Sequence, residues 1–323
     1  MPRVERIVFF GTPEFAVPAL DALVAAGRAP TLVVTQPARP AGRGRRLVDP
    51  PVAARARELA LEIGQPPRVR APEFLASLRE RAPDLAVVVA FGQIFPRELL
   101  ELPPHGCLNV HASLLPRWRG AAPIAAAIEA GDAKTGVVVQ RMVEALDAGP
   151  MVGRRETAIG PEETTGSLAE RLARLGAEAL LETIEALEAG TLREETQDEA
   201  AATYAPKLSG PARLDPSRPA SELERLVRSR TPAPGADLSW RGGSLRVLAA
   251  RALPGIAGID GGAQEGVFLG VAGSAARLAT GGGSVLELLN VQRPGRAPVS
   301  GRDFANGARL IPGERFGGEE SGS

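Results

Sequence analysis

Asn109 and His111 stand two residues apart in Leu108-Asn-Val-His-Ala-Ser-Leu-Leu-Pro-Arg-Trp-Arg-Gly-Ala-Ala-Pro-Ile124, where an apolar run gives way to a loop. Residues i and i+2 of a strand project to the same side. An amide and an imidazole are thereby presented together at a strand end, where open α/β sheets bind ligands. Such a pair can polarise a carbonyl and move a proton. The chain has only two histidines. A lone histidine is more often a structural hydrogen-bonder, so the catalytic reading of His111 leans on Asn109 beside it. His105, in the loop before the strand, reads as incidental.

A carboxylate can come from Asp147, in the turn Met142-Val-Glu-Ala-Leu-Asp-Ala-Gly-Pro-Met151 after the next apolar run. Beside an imidazole it fixes the tautomer and favours the charged ring. Alone, Asp147 would read as a turn-former before Ala148-Gly149. Cys107 shares the parity of Asn109 and His111, but a thiol inside an apolar strand is a buried hydrophobe rather than a nucleophile.

These residues need a scaffold, and the chain supplies alternating elements. Ile7 to Phe10, Thr31 to Thr35, Asp84 to Phe91, Cys107 to His111 and Thr135 to Met142 read as strands. Helical patterns lie between them: Phe15 to Gly27 with Thr12 as N-cap, Pro50 to Leu61, and Pro72 to Arg81. The alternation predicts an α/β fold with a Rossmann-like, doubly wound and mostly parallel sheet. Glu162 to Glu188 is a long helix closed by Gly190.

Leu208 to Pro219 is rich in Pro, Gly and Ser and reads as a linker. After a short helix, Ser221 to Ser229, come β-like runs at Leu245 to Ala249, Val267 to Val271, Ala276 to Ala279 and Val285 to Val291. Glycines separate them, as in a small OB-like β-barrel. The expected division is 1–206 catalytic domain, 207–220 linker, 221–316 C-terminal barrel and 317–323 disordered tail.

Two further segments bear on ligands. Gly11-Thr12-Pro13-Glu14 fills the first βα turn, yet lacks G-x-G-x-x-G, and Glu14 would repel a pyrophosphate. A dinucleotide is therefore excluded there. Pro37-Ala-Arg-Pro-Ala-Gly-Arg-Gly-Arg-Arg-Leu47 is a flexible basic loop on the expected rim of the site. Its Arg39, Arg43, Arg45 and Arg46 offer forked contacts to a polyanion. P-loop and Cys/His zinc signatures are missing, so no metal is implied.

Composition sets the outer bounds. The chain has 323 residues, 44% of them hydrophobic, with 38 basic and 38 acidic side chains. A nucleic-acid partner must therefore be met by a local patch, not a global field. A single cysteine excludes an internal disulfide and suits a reducing compartment. No apolar run approaches the ~20 residues that span a bilayer. The expectation is a soluble cytoplasmic protein.

Phe10-Gly-Thr-Pro-Glu-Phe15, Thr35-Gln-Pro with the arginine loop, Ala90-Phe-Gly-Gln-Ile94, the Leu108 to Ile124 block, Leu146-Asp-Ala-Gly149 and Tyr204-Ala-Pro-Lys-Leu208 together resemble the methionyl-tRNA formyltransferases. The resemblance implies formyl transfer from 10-formyltetrahydrofolate to the α-amino group of methionine on initiator Met-tRNA, releasing tetrahydrofolate. It implies Asn109, His111 and Asp147 as the catalytic set. It places Ser113, Leu114, Leu115 and Pro116 on the folate, with backbone at Phe91, Gly92, Gln93 and Ile94 around the pterin. It carries tRNA contacts to Arg43 and Lys207, with the C-terminal barrel helping to hold tRNA, and implies a monomer without metal or membrane. Ala145, Ala148 and the Pro232-Ala-Pro-Gly235 segment depart from the family's pattern. Two rivals are a formyltransferase for a nucleotide sugar or glycinamide ribonucleotide, and a non-catalytic RNA-binding protein. The arginine loop and barrel speak against the first, the intact triplet against the second.

Overall fold

The computed structural model describes residues 4–41, 46–254 and 264–317. In chain order the elements are β1 (Ile7–Gly11), α1 (Val17–Ala25), β2 (Leu32–Val34), β3 (Arg39–Ala41), β4 (Arg46–Val48), α2 (Pro51–Glu58), β5 (Ile63–Gly64), α3 (Pro72–Arg81), β6 (Leu85–Val89), α4 (Arg97–Leu100) and β7 (Cys107–His111). They continue through β8 (Arg119–Gly120), α5 (Pro123–Ala130), β9 (Lys134–Arg141), β10 (Met151–Ala158), α6 (Thr165–Ala189) and β11 (Tyr204–Ala205). The remainder comprises β12 (Ala212–Arg213), α7 (Ala220–Ser229), β13 (Ala236–Trp240), β14 (Gly243–Leu253), β15 (Phe268–Ala272), β16 (Ala275–Thr280), β17 (Ser284–Gln292), β18 (Val299–Ser300) and α8 (Gly301–Ala308).

Contacts divide the chain into two units. The first is 1–123, 134–158 and 169–206; the second is 124–133, 159–168 and 207–323. Beyond the stretch from 207 onward, two excursions, one carrying most of α5 and one the start of α6, group with the second unit.

The first unit is built on a seven-stranded sheet in the order β10-β9-β7-β6-β1-β2-β5. β1, β2, β5, β6 and β7 run parallel; β9 runs antiparallel to β7, and β10 antiparallel to β9. Every residue of β1 (IVFFG) and β6 (LAVVV) is buried. Central parallel strands covered on both faces need such continuous apolar runs. Phe10, Phe91 and Phe95 form an edge-to-face cluster with centroids 4.8 to 6.0 Å apart. It fixes the chain that leaves β6.

Thr12 is not the expected helix cap. The turn Glu14–Ala16 is a 3-10 turn capped by Pro13 without a side-chain bond. The Thr12 hydroxyl instead donates to Phe91 O at 3.1 Å and accepts Gln36 N–H at 3.3 Å. It ties together the segments that follow β1, β2 and β6. The flanks of the basic loop pair as an antiparallel ladder, Arg39 opposite Val48 and Ala41 opposite Arg46, a pairing not anticipated from the sequence.

The second unit holds a mostly antiparallel sheet, β12-β13-β14-β17-β16-β15, with β18 on β17. α7 buries Leu223, Leu226 and Val227 in its core, each such side chain contributing roughly 1.5–3 kcal/mol. α8, unanticipated in the sequence, adds Phe304. The expected linker is held within this unit, because Ala212 and Arg213 pair with Ala236 and Asp237 and Leu214 is buried. Gly317, placed in the tail by sequence, donates its N–H to Ser239 O at 2.8 Å; residues 318–323 lie outside the described residues.

Candidate active site

β7 lies between β6 and β9, and its register brings Asn109 opposite Val88 on one side and Gln140 on the other. Directly paired residues share a face of the sheet. Gln140 therefore joins the side that carries Asn109 and His111. β9 then runs into residues 142–150, and β10 returns antiparallel to it. Two local requirements shape this reversal. Asp147 has φ +51°, a left-handed conformation that Asp tolerates better than most residues. Gly149 lies so close to Arg141 O that no Cβ fits.

The carboxylate of Asp147 is held from two directions. Gly120 N–H donates to Oδ2 at 2.8 Å, and Gln140 Nε2–H donates to Oδ1 at 3.0 Å. Gly120 reaches it from β8 with φ +110°, where a Cβ would stand 2.8 Å from Ala205 O. His111, 6% exposed, lies 2.9 Å through Nε2 from Trp118 O. A carbonyl only accepts, so Nε2 carries a proton. Nδ1 then faces Asp147 Oδ2 at 3.7 Å, beyond hydrogen-bond reach. The Asn109 side chain is half-buried, and no hydrogen bond occupies its amide among the described residues.

A cavity of about 190 Å³ opens beside the turn, between Gln93, Ile94 and Phe95 on one side and Gln140, Leu146 and Asp147 on the other. Ile94 and Leu146 are 86% and 63% exposed. Sites for drug-sized ligands run to roughly 300 Å³ or more, so this space is smaller than a whole ligand of that size requires.

The residues expected on the folate fall into two groups. Gln93 and Ile94 line the cavity, whereas Ser113, Leu114, Leu115 and Pro116 do not. Ser113 and Leu115 are buried; Ser113 Oγ–H donates to Arg117 O at 2.6 Å, and Leu115 packs on Val138 and Met151. The Phe91 ring is buried too, and its carbonyl accepts from Thr12 and from Gln36 Nε2 (3.2 Å). Gly92 has φ +84°, and the Gln93 amide accepts Val69 N–H at 2.8 Å.

Of the residues expected on tRNA, Arg39 is exposed at the start of β3, with Nη2 3.4 Å from Gln36 Oε1. Arg46 begins β4, and Arg43 and Arg45 lie outside the described residues. Lys207 is exposed and groups with the second unit.

Sequence reasoning missed Gln140 and Gln197. Gln140 is 1% exposed and Gln197 5%. Gln197 Nε2 donates to Gly149 O at 2.7 Å and Asp147 O at 2.8 Å. A glutamine inside the apolar run Val137-Val-Val-Gln140 was the one available signal, because buried polar side chains are rare unless bonded. Cys107 behaves as expected: burial pushes its thiol up to about 12, outweighing the opposing pull of Arg141. Among the described residues no cluster of three or more His, Cys, Asp or Glu could hold a metal ion, and no helix is long and apolar enough to cross a membrane.

Known proteins bear on this geometry. Residues 5–184 match the formyl transferase family, and residues 211–309 match the formyl transferase C-terminal domain. The chain is 49% identical over 310 residues to the methionyl-tRNA formyltransferase of Halorhodospira halophila, covering 96% of this chain and 98% of that one. It is 47% identical over 313 residues to that of Methylococcus capsulatus, covering 97% and 99%. The fold is also that of the sugar 3N-formyl transferase WlaRD, solved in the presence of dTDP and 5-N-formyl-THF. The TM-score is 0.65 at 13% identity, over 92% of this chain and 100% of that one. With both parts matched and such relatives aligned end to end, the chain belongs to the methionyl-tRNA formyltransferases.

Proposed function

We propose that the chain transfers the formyl group of 10-formyltetrahydrofolate to the α-amino group of methionine on initiator tRNA. One observation carries the reading: His111 Nδ1 faces a fixed Asp147 carboxylate 3.7 Å away, and the same strand presents an Asn109 amide with no hydrogen bond among the described residues. The names and end-to-end coverage of the relatives support tRNA as the acceptor. The ligand named for WlaRD supports a folate-derived donor.

The residues around the cavity suit such a donor. Exposed Ile94 and Leu146 offer apolar walls to a flat heteroaromatic ring, and the Gln140 and Asp147 side supplies a polar edge. Bound there, the donor supplies an N-linked formyl carbonyl. Asn109, half-buried beside His111 on β7, would supply an amide donor to the formyl oxygen, where negative charge develops, and His111 would add one through Nδ1 when both ring nitrogens carry protons; losing one such donor typically costs ~3 kcal/mol. Asp147 stabilises the ring whenever it holds a second proton, and His111 with Asp147 passes protons between the amine and the leaving nitrogen. No side chain needs to bond covalently to the formyl group. Arg39, Arg43, Arg45 and Arg46 grip phosphates of the acceptor end, with Lys207 as a further contact. The protein acts as a cytoplasmic monomer.

Incubation with 10-formyltetrahydrofolate and charged initiator or elongator tRNA tests this. Formylation of the initiator form, faster than of the elongator, is expected. No transfer to either tRNA, or transfer to a nucleotide sugar or glycinamide ribonucleotide instead, overturns it.

A further inference from the structure

We propose that Gln197 is the positioning residue of Asp147, and that the buried Arg119 sets the direction in which the Gln197 amide points. This inference rests on the formyl-transfer reading for its kinetic test, but the geometry behind it does not.

Arg119 heads the largest fully buried side chains, at 1% exposure. Its guanidinium only donates, so it needs acceptors on every side. Nε–H and Nη2–H donate to Gln197 Oε1 at 3.1 and 2.8 Å, while Nη1–H and Nη2–H donate to the Glu199 carboxylate at 2.9 and 2.7 Å. The guanidinium holds the Glu199 carboxyl below the usual carboxylate range. Two converging donors leave the Gln197 amide one orientation: oxygen toward Arg119, nitrogen away. The usual ambiguity of an amide flip is absent here.

That nitrogen then grips the Asp147 turn. Its two hydrogens serve Asp147 O at 2.8 Å and Gly149 O at 2.7 Å, the carbonyls on either side of Ala148. Asp147 has φ +51°, a conformation that persists only where the surroundings over-determine it. The peptide after Arg119 completes the arrangement, since Gly120 N–H donates to Asp147 Oδ2 at 2.8 Å. The buried guanidinium thus reaches the Asp147 backbone through Gln197, while Gly120 N–H and Gln140 Nε2–H hold the carboxylate. Gln197 does not line the cavity, so it works through Asp147 rather than on a substrate.

The test uses the full chain with Gln197→Glu, close in shape and able to pair with Arg119, but with no hydrogen for the two carbonyls. The kcat for formyl transfer should fall about 10- to 100-fold, the scale of a misplacement of about 1 Å, with both KM values within about twofold of wild type. The His111 ring nitrogens should shift in the NMR spectrum while those of His105 stay put. A kcat within about twofold of wild type, a rise in KM alone, or unmoved His111 signals each overturn the proposal. Gln197→Met, of similar volume without hydrogen bonds, is the second variant. If neither variant folds, Gln197 serves stability first and the proposal fails. An inactive wild-type protein in the same assay refutes the formyl-transfer reading instead, and the NMR comparison still decides this one.

Discussion

The Asp147 turn and the arginine arm both follow strand ends, yet they are built in opposite ways. In the turn, the carboxylate, the backbone carbonyls and the neighbouring Gln140 and Gln197 amides have partners at 2.7 to 3.4 Å. In the arm, Leu47 and Val48 are 72% and 52% exposed; its strands pair through backbone, and the side chains of Gln36 and Thr12 bond at its base. Proton transfer and charge stabilisation demand atoms held within fractions of an ångström. Holding a polyanion demands reach and charge, which a solvated arginine keeps in many geometries. The turn after β9 is thus held by a dense set of bonds, whereas the arm after β2 exposes Leu47 and Val48.

Breaking the precise side should have the largest effect. His111→Ala is expected to lower kcat about 10³-fold while the melting temperature shows an intact fold; near-normal turnover would remove His111 from the chemistry. Asp147→Asn comes next. Both carboxylate oxygens accept N–H donors, so the new NH2 must oppose one of them as well as lose the charge. A 10²-fold fall in kcat with little change in KM, on the order of a lost charge-assisted contact, is the expected kinetic result.

The adaptable side should fail differently. Arg43→Ala is expected to raise KM for charged tRNA about tenfold, leave folate binding unchanged, and reduce the salt dependence of tRNA binding by about one phosphate contact. Equal losses for tRNA and folate would erase the distinction between the two loops. The smallest effect is expected at their junction. Thr12→Val removes the hydroxyl that joins Phe91 O to Gln36 N–H and should cost about 1 kcal/mol in chemical denaturation. A change in kcat as large as that of Asp147→Asn would show instead that the arm's base tunes the chemistry.

Particular residues show how far the sequence could be read. β1 and β6 were legible because strands buried on both faces are apolar throughout. β10 was not: it lies at the sheet edge, and Arg154, Arg155 and Glu156 interrupt any apolar pattern. Thr12 has the residue type of a helix cap, but its hydroxyl is taken by groups 24 and 79 positions away. The arginine loop was visible as a charge run, whereas the ladder beneath it depends on pairing across the gap.

The chain's own order of residues determined the parity that puts Asn109 and His111 on one side of β7, the alternation of strands and helices, and the basic character of the arm. These follow from periods of 2 and 3.6 residues, which act locally. Only the folded structure decided that Gln140 stands opposite Asn109, that Asp147 is held by Gly120, and that Arg119 orients Gln197 from 78 positions away. Buried donors and acceptors must find partners wherever the fold brings them, and that search leaves no periodic trace.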